Sequence, residues 1–343
     1  METQTVPGLD LDRLGEWLSS EILGAGASLS AELIAGGKSN LTFVVTDGIA
    51  EWIVRRPPLG HVLATAHDMG REYRVMSALH GTGVPVPRTY AFCDDPAVIG
   101  SEFYVMERAP GCAFRHAHQL EPLGAARTRD ISERLVDTLL ALHAVVPDAV
   151  GLGDFGRPEG FLGRQVARWH KQLEASYTRD LPAADELHRR LAASVPAESA
   201  TGIVHGDYRL DNVLVDDADD IDRVTAVIDW EMATLGDPLT DLALMVVYGR
   251  LGEAVSGADV VDAASAPGFL REDEIVARYA AGSDRDLSGF GWYVGLGAYK
   301  LAAILEGIHF RYLAGQTVGE GFDRIGEVIH PLLDAGLTAL KEG

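Results

Sequence analysis

The chain has 343 residues, of which 47% are hydrophobic and 23% are charged. This length and composition are typical of a globular protein with one large domain or two lobes. Acidic residues number 51 against 29 basic residues, which gives a formal charge of −22. A protein this acidic repels nucleic-acid phosphates, so we expect no nucleic-acid partner.

The composition also predicts neither a membrane span nor a disulfide framework. The longest apolar stretch, Gly291 to Leu305, is shorter than the ~20 residues that a span requires and contains Lys300. The first residues lack the basic and apolar regions of a secretory signal. The two cysteines, Cys93 and Cys112, form no C-x-x-C pair. We therefore expect a soluble, cytoplasmic protein with no membrane partner and with reduced cysteines.

The start of the chain predicts a helix followed by a small antiparallel sheet. Apolar residues recur with helical spacing from Leu9 to Ile22. Strand-like runs then cover Leu29 to Ala35, Leu41 to Thr46 and Ile49 to Arg56. The Asp47-Gly48 pair between the last two runs is typical of a hairpin turn, because both residues tolerate positive φ.

A helix from Thr65 to Leu79 and two strands, Thr89 to Cys93 and Glu102 to Glu107, complete this part of the chain. The Ala109-Pro110-Gly111 stretch then ends the strand pattern, and the periodicity becomes mostly helical. We therefore place a boundary between an N-terminal lobe, residues 1–108, and a larger lobe, residues 109–343.

The larger lobe is predicted to be mainly helical outside residues 201–230. The clearest later helices are Leu239 to Leu251, Glu272 to Ala281 and Gly289 to Leu313. The predicted fold class is therefore α+β, with the sheet in the small lobe.

Residues 201–230 contain the most informative pattern. Val213 to Val215 and Arg223 to Ile228 predict two strands joined by an acidic turn. Two antiparallel strands joined in this way place Asn212, just before the first, beside Asp229, just after the second. Amide and carboxylate oxygens are ligands that Mg²⁺ accepts while it keeps water and phosphate oxygens. The pattern therefore predicts Asn212 and Asp229 as magnesium ligands.

Asp207 lies five residues before Asn212, in the preceding loop. Phosphoryl transfer needs a carboxylate that orients the attacking hydroxyl and accepts its proton, together with cations that neutralise the phosphoryl oxygens. We therefore predict Asp207 as the catalytic base. A single D-x-x-x-x-N pattern is more often a surface loop, so the prediction depends on the two flanking strands and the second carboxylate.

The combination of His205-Gly206-Asp207, Asn212 and Ile228-Asp229-Trp230 resembles the aminoglycoside phosphotransferase and choline kinase family of small-molecule kinases. The sequences HGDYRLDNVLVDD and VIDWEMATLGDPLTDLA are similar to the branch that includes the kinase-like domain of some animal acyl-CoA dehydrogenases. The resemblance runs from about Gly36 to Ala243. It implies a bilobal, protein-kinase-like fold and transfer of the γ-phosphate of ATP or GTP, with Mg²⁺, to a small-molecule hydroxyl.

The same resemblance assigns Asp207 as the base, and Asn212 and Asp229 as metal ligands. It also implies that Asp237 and Asp241, in GDPLTDLA, stabilise the loop and the following helix start without acting in catalysis.

The resemblance further implies a nucleotide site in the N-terminal lobe. The stretch Gly36-Gly37-Lys38-Ser39-Asn40 would cover the phosphates, with contacts from Gly37, Ser39 and Asn40. Taken alone, the same stretch reads equally well as an ordinary hairpin turn.

The later strand Glu51-Trp52-Ile53-Val54-Arg55 carries Arg55 where related kinases have a phosphate-binding lysine. Arginine keeps the charge and can bind phosphate through two hydrogen bonds. Strand alternation directs the neighbouring Arg56 to the opposite face. Glu72, on the next helix, is the expected partner of Arg55, and a solvated glutamate on the helix surface is the alternative.

The run from Phe103 to Ala109 resembles the connector that meets the adenine ring. In that interpretation Met106 packs behind the base, and Glu107 and Ala109 offer backbone hydrogen bonds. Met106 could equally be an ordinary core methionine.

The acceptor is expected to be a small molecule, because the chain has no long segment ending in A-P-E that would dock a peptide. Arg164, Arg168 and Lys171 share one helix face, which would either bind an anionic substrate tail or be solvated. A catalytically silent nucleotide-binding module is the alternative function, suggested by Arg55 in place of lysine. No oligomeric state is predicted.

Overall fold

The computed structural model describes residues 6–26, 28–34, 40–59, 68–197, 201–216, 218, 222–254, 261–316 and 322–342. The chain divides into two compact units. The first contains Met1–Pro110 and Thr225–Ala233, and the second contains Gly111–Val224 and Thr234–Gly343.

The first unit is an antiparallel sheet with helices. Its elements are α1 (Leu11–Glu21), β1 (Ser30–Leu33), β2 (Leu41–Thr46), β3 (Glu51–Arg56), α2 (Met69–Leu79), β4 (Thr89–Cys93), the one-turn helix α3 (Pro96–Ile99) and β5 (Phe103–Glu107). The five strands pair in the order β1-β2-β3-β5-β4, and every pairing is antiparallel. The predicted small antiparallel sheet is confirmed.

Short polar side chains set the ends of these elements. Asp10 and Asp68 cap α1 and α2 by accepting a backbone N–H from the first helical turn, at 3.1 and 2.9 Å. Asp47 accepts the N–H groups of Ile49 and Ala50 at 2.9 and 2.8 Å, which closes the predicted turn between β2 and β3.

The two faces of β3 have different roles. Trp52 and Val54 are buried in a core with Leu14 and Leu18 of α1. Because side chains alternate along a strand, Arg55 lies on the opposite face. Arg56 lies on the α1 face, where its guanidinium donates to the carbonyl of Ile99 at 2.9 Å.

The second unit is mainly helical. Its elements, with β8 leading the chain back into the first unit, are α4 (Ala117–Leu120), α5 (Gly124–Ala144), α6 (Phe161–Glu174), α7 (Pro182–Ala193), β6 (Gly202–Val204), β7 (Val213–Asp216), β8 (Arg223–Val227), β9 (Thr234–Gly236), α8 (Leu239–Ala254), α9 (Glu272–Ala281), α10 (Phe290–Leu313) and α11 (Ile325–Glu342). Strand β6 pairs with β9, and β7 pairs with β8.

Helix α10 is the centre of this unit and packs against α6, α7, α8 and α11. It is buried along most of its length, which explains why it is apolar on every side. Three charged residues, Lys300, Glu306 and Arg311, interrupt its apolar sequence. In the part of the chain that the structure describes, no helix is long and apolar enough to cross a membrane.

Candidate active site

Asp207 lies in the loop between β6 and β7, and both of its carboxylate oxygens accept hydrogen bonds. Tyr248 of α8 donates to Oδ1 at 3.0 Å, and Asn212 Nδ2 donates to Oδ2 at 3.0 Å. Arg209 Nε lies 3.4 Å from Oδ2. The Asp207 side chain keeps 22% of its surface exposed, so the carboxylate is held in one orientation and is still accessible.

Asn212 is oriented by the same loop. Its Nδ2 also donates to the backbone carbonyl of Asp207 at 2.8 Å. Both hydrogen bonds of this nitrogen are therefore made to Asp207. These bonds leave Asn212 Oδ1 as the side-chain atom that suits a metal ligand. Among the described residues, no three His, Cys, Asp or Glu side chains are grouped to hold a metal. A magnesium ion usually keeps water and phosphate oxygens among its ligands.

Asp241, in the first turn of α8, stabilises the backbone of the loop. It accepts the N–H groups of His205 and Gly206 at 2.7 and 2.8 Å, and lies 3.4 Å from His143 Nε2. Burial raises the pKa of Asp241, but the bonds from His143 and Gly206 outweigh burial, and the net pKa lies below its ordinary value. Asp241 is therefore an ionised acceptor for the loop, in line with the role inferred from the sequence.

Tyr248 and Arg209 are contacts of Asp207 that the sequence analysis missed. Burial, followed by the charge of Asp207, raises the pKa of Tyr248, so its hydroxyl stays a neutral donor. The Arg209 guanidinium lies 4.7 Å from the centre of the Tyr248 ring. Tyr248 follows Asp241 by seven residues and so lies on the same face of α8, which is the signal that could have identified it.

A cavity of about 80 Å³ opens beside this loop, within the second unit. Arg209 and Tyr248 form part of its lining. Its other charged residues include Arg250 and Glu272, which pair through two contacts of 2.7 Å. The apolar lining includes Leu210, Met245, Val246, Phe269, Leu270 and Ile275. The cavity thus combines an apolar wall with a guanidinium that contacts Asp207.

In the first unit, Arg55 is surrounded by three carboxylates, which together with it form what we call the arginine cluster. Arg55 Nε lies 3.1 Å from Glu72 Oε2, and Nη2 lies 2.5 Å from Asp229 Oδ1 and 4.0 Å from Glu231 Oε2. Glu72 is only 1% exposed, so the alternative of a solvated surface glutamate is wrong. Burial raises the pKa of Glu72 to about 7, although Arg55 opposes the change.

Asn40 and Tyr104 complete the cluster. Asn40 Nδ2 donates to Glu72 Oε1 at 3.0 Å and to Glu231 Oε2 at 3.1 Å. The Tyr104 hydroxyl donates to Glu72 Oε2 at 3.0 Å. The Asn40 side-chain amide therefore links the two carboxylates. Gly37 and Ser39 lie outside the described residues.

Asp229 has an unusual backbone conformation. Its φ is 65°, and it is the only described residue other than glycine with a positive φ. Aspartate tolerates this left-handed region better than most residues, and such strained positions cluster at functional sites. The segment is fixed by the N–H of Val227, which donates to the carbonyl of Pro85 at 2.8 Å, and by the Trp230 indole, which donates to the carbonyl of Val227 at 2.9 Å.

The predicted adenine connector lies at the end of β5. Met106 is buried and is paired in register with Ile53 of β3. The backbone N–H of Glu107 donates to the carbonyl of Arg88 at 2.7 Å, so this N–H forms a hydrogen bond within the first unit. Ala109 follows the strand and is half-buried.

The sequence matches the APH family, described as the phosphotransferase enzyme family, over residues 30–281, a range that includes Asp207 and the arginine cluster. The chain belongs to the APH family. Human acyl-CoA dehydrogenase family member 11 is 32% identical over 339 residues, which cover 97% of this chain and 43% of the human protein. Mouse acyl-CoA dehydrogenase family member 10 is 31% identical over 97% of this chain and 31% of its own length. The chain thus spans less than half of these relatives, and the predicted resemblance to this branch is confirmed.

Solved structures show the same fold as this APH family member. A Ralstonia eutropha protein, provisionally named an aminoglycoside phosphotransferase, has a TM-score of 0.82 at 33% identity, with 97% of this chain and 98% of that one covered. A thermostable APH(4)-Ia mutant in complex with AMP-PNP and hygromycin B has a TM-score of 0.62 at 16% identity, covering 96% and 98% of the two chains. The GDP complex of aminoglycoside 2'-phosphotransferase-IIIa has a TM-score of 0.61 at 15% identity, covering 97% and 99%. The predicted protein-kinase-like α+β fold is confirmed.

Proposed function

We propose that this protein is a magnesium-dependent phosphotransferase that moves the γ-phosphate of ATP or GTP to a hydroxyl of a small molecule. The observation that carries the proposal is the geometry of Asp207. Tyr248 and Asn212 orient its carboxylate, and part of its surface is accessible to a substrate. In this role Asp207 orients the acceptor hydroxyl and accepts its proton.

We propose Asn212 and Asp229 as the protein ligands of Mg²⁺. The carbonyl oxygen of the Asn212 side chain and the Asp229 carboxylate have the chemistry that Mg²⁺ accepts. When bound, the ion neutralises charge on the transferred phosphoryl group. Arg55 binds the nucleotide phosphates in this proposal, and Glu72 holds its guanidinium.

The remaining nucleotide contacts rest on the family resemblance. AMP-PNP and GDP in the names of structures with the same fold support a purine nucleotide. The residues proposed for the phosphate-covering loop and the adenine connector are Gly37, Ser39, Asn40, Met106, Glu107 and Ala109.

The cavity beside Asp207 favours an acceptor with an apolar part. Its walls are largely apolar, and the Arg209 guanidinium in its lining pairs with Asp211 at 2.9 Å and with Asp207 at 3.4 Å. The names of the relatives, acyl-CoA dehydrogenase family members, point to the same chemistry. Hydroxyacyl-CoA thioesters are therefore the first acceptors to test, beside aminoglycosides and choline-like amines.

The test is transfer of labelled γ-phosphate from ATP or GTP to this acceptor panel, with and without Mg²⁺, for the wild type and Asp207→Ala. We expect transfer that requires both Mg²⁺ and Asp207. The alternative function, a silent nucleotide-binding module, predicts tight nucleotide binding with no transfer to any acceptor. The oriented carboxylate of Asp207 argues against that alternative.

A further inference from the structure

Lys300 is a half-buried cation in the mainly apolar helix α10. Its neighbours along α10, Trp292–Tyr299 and Leu301–Ala303, are all buried. Its ammonium group donates a hydrogen bond to the backbone carbonyl of Gly206 and lies 5.3 Å from the centre of the Trp169 ring. Burying an ammonium is costly unless specific partners stabilise it. The carbonyl of Gly206 and the Trp169 ring are partners of this kind, and they tie Lys300 to the loop that contains Asp207.

Gly206 immediately precedes the proposed base, and both sides of its backbone are held. Its φ of 85° is a conformation that favours glycine. Its N–H donates to Asp241 at 2.8 Å, and its carbonyl accepts from Lys300. Asp241 of α8 and Lys300 of α10 therefore hold the peptide units on either side of Gly206. These contacts also restrict the position of the Asp207 backbone, and so of its Cα atom.

We propose that Lys300 is a positioning residue for Asp207, acting through the carbonyl of Gly206. The catalytic consequence rests on the proposed phosphotransferase function, whereas the structural consequence does not. A charge-assisted hydrogen bond is stronger than a neutral one, and the Trp169 ring limits where the ammonium can lie. Lys300 thus holds the backbone of the loop, while Tyr248 and Asn212 orient the carboxylate.

The experiment compares Lys300→Met with Glu306→Gln, which removes one charge from the same helix at a site away from the loop. Glu306 accepts from Thr178 and Arg179 at 2.8 Å each, and these residues are not part of the loop. Hydrogen exchange is measured on peptides covering residues 203–212, and kcat and the KM for ATP are measured with the acceptor found in the panel. Lys300→Met should raise exchange in residues 203–212 and lower kcat by about 100-fold, as expected for a misplaced catalytic group.

The KM for ATP should stay unchanged in Lys300→Met, and Glu306→Gln should leave both exchange at residues 203–212 and kcat as in the wild type. In a second variant, Lys300→Ala, added ethylammonium should restore kcat and slow hydrogen exchange at residues 203–212. This variant replaces Lys300→Met if Lys300→Met does not fold. Unchanged exchange in the methionine variant, or no rescue by ethylammonium, overturns the proposal. If Lys300→Met raises hydrogen exchange but keeps the wild-type kcat, the proposed effect of Lys300 on catalysis is wrong. If the wild type transfers no phosphate, the proposed function fails, and exchange alone decides whether Lys300 holds the loop.

Discussion

Replacing Asp207 with asparagine separates proton acceptance from the other roles of this side chain. The substitution keeps the shape of Asp207 and removes its charge. Loss of a general base lowers turnover by about 10²- to 10⁴-fold. Because the nucleotide residues proposed here are elsewhere in the chain, we expect kcat to fall by this amount while the dissociation constant for ATP stays near the wild-type value.

The hydrogen bonds around Asp207 add a stability effect to this prediction. The carboxylate accepts from Tyr248 at one oxygen and from Asn212 at the other. Asparagine offers one acceptor oxygen, so one of the two donors loses its partner, at a cost of about 1 kcal/mol in the free energy of unfolding. Adding Tyr248→Phe removes a donor, and the double variant should recover this stability without recovering activity.

The assays are steady-state transfer with the identified acceptor, ATP binding by titration calorimetry, and urea denaturation of both single variants and the double variant. Tyr248→Phe alone serves as the control for loss of the hydroxyl. Near-normal turnover in Asp207→Asn would refute the assignment of the base. A double variant that is less stable than Asp207→Asn would refute the hydrogen-bond argument.

Three further predictions concern the arginine cluster. Arg55→Lys keeps the charge but loses the planar guanidinium, so the KM for ATP should rise by about tenfold in steady-state kinetics, and an unchanged KM would exclude Arg55 from the phosphates. Asp229→Ala should abolish the Mg²⁺ dependence of ATP binding in calorimetry, and a retained dependence would place the metal elsewhere. The pKa of Glu72 is raised from 4.5 to about 7 in the folded protein, so its contribution to stability is complete below pH 4.5 and is lost as pH rises through 7. Thermal melts from pH 4.5 to 8 should show this loss in the wild type and not in Glu72→Gln, and parallel profiles would contradict it.

Local patterns made much of the fold predictable. The bounds predicted for β2, β4 and α9 are those of the structure, because alternation, the Asp47-Gly48 turn and an acidic helix start mark them in the sequence. The inclusion of Thr225–Ala233 in the first unit was not predictable in this way. It depends on contacts such as that between Val227 and Pro85, which no local pattern encodes.

In the candidate site, too, local contacts could be predicted from the sequence and long-range contacts could not. Asp207 and Asn212 were predicted to lie together because five residues of one loop connect them. The hydroxyl of Tyr248 is 41 residues from Asp207, and the ammonium of Lys300 is 94 residues from Gly206. Helix packing brings these groups to the loop, and packing at such separations cannot be inferred from spacing in a single sequence.

The arrangement of the arginine cluster explains why arginine suits position 55. A guanidinium is planar and presents several N–H groups, so Arg55 can face Glu72 through Nε and Asp229 through Nη2 at the same time. A lysine ammonium is a single point and could not span both carboxylates in the same way. Asn40 then joins Glu72 to Glu231, the third carboxylate near Arg55. Arg55, which suggested a silent module because it stands in place of a lysine, is therefore held by carboxylates whose positions suit an arginine.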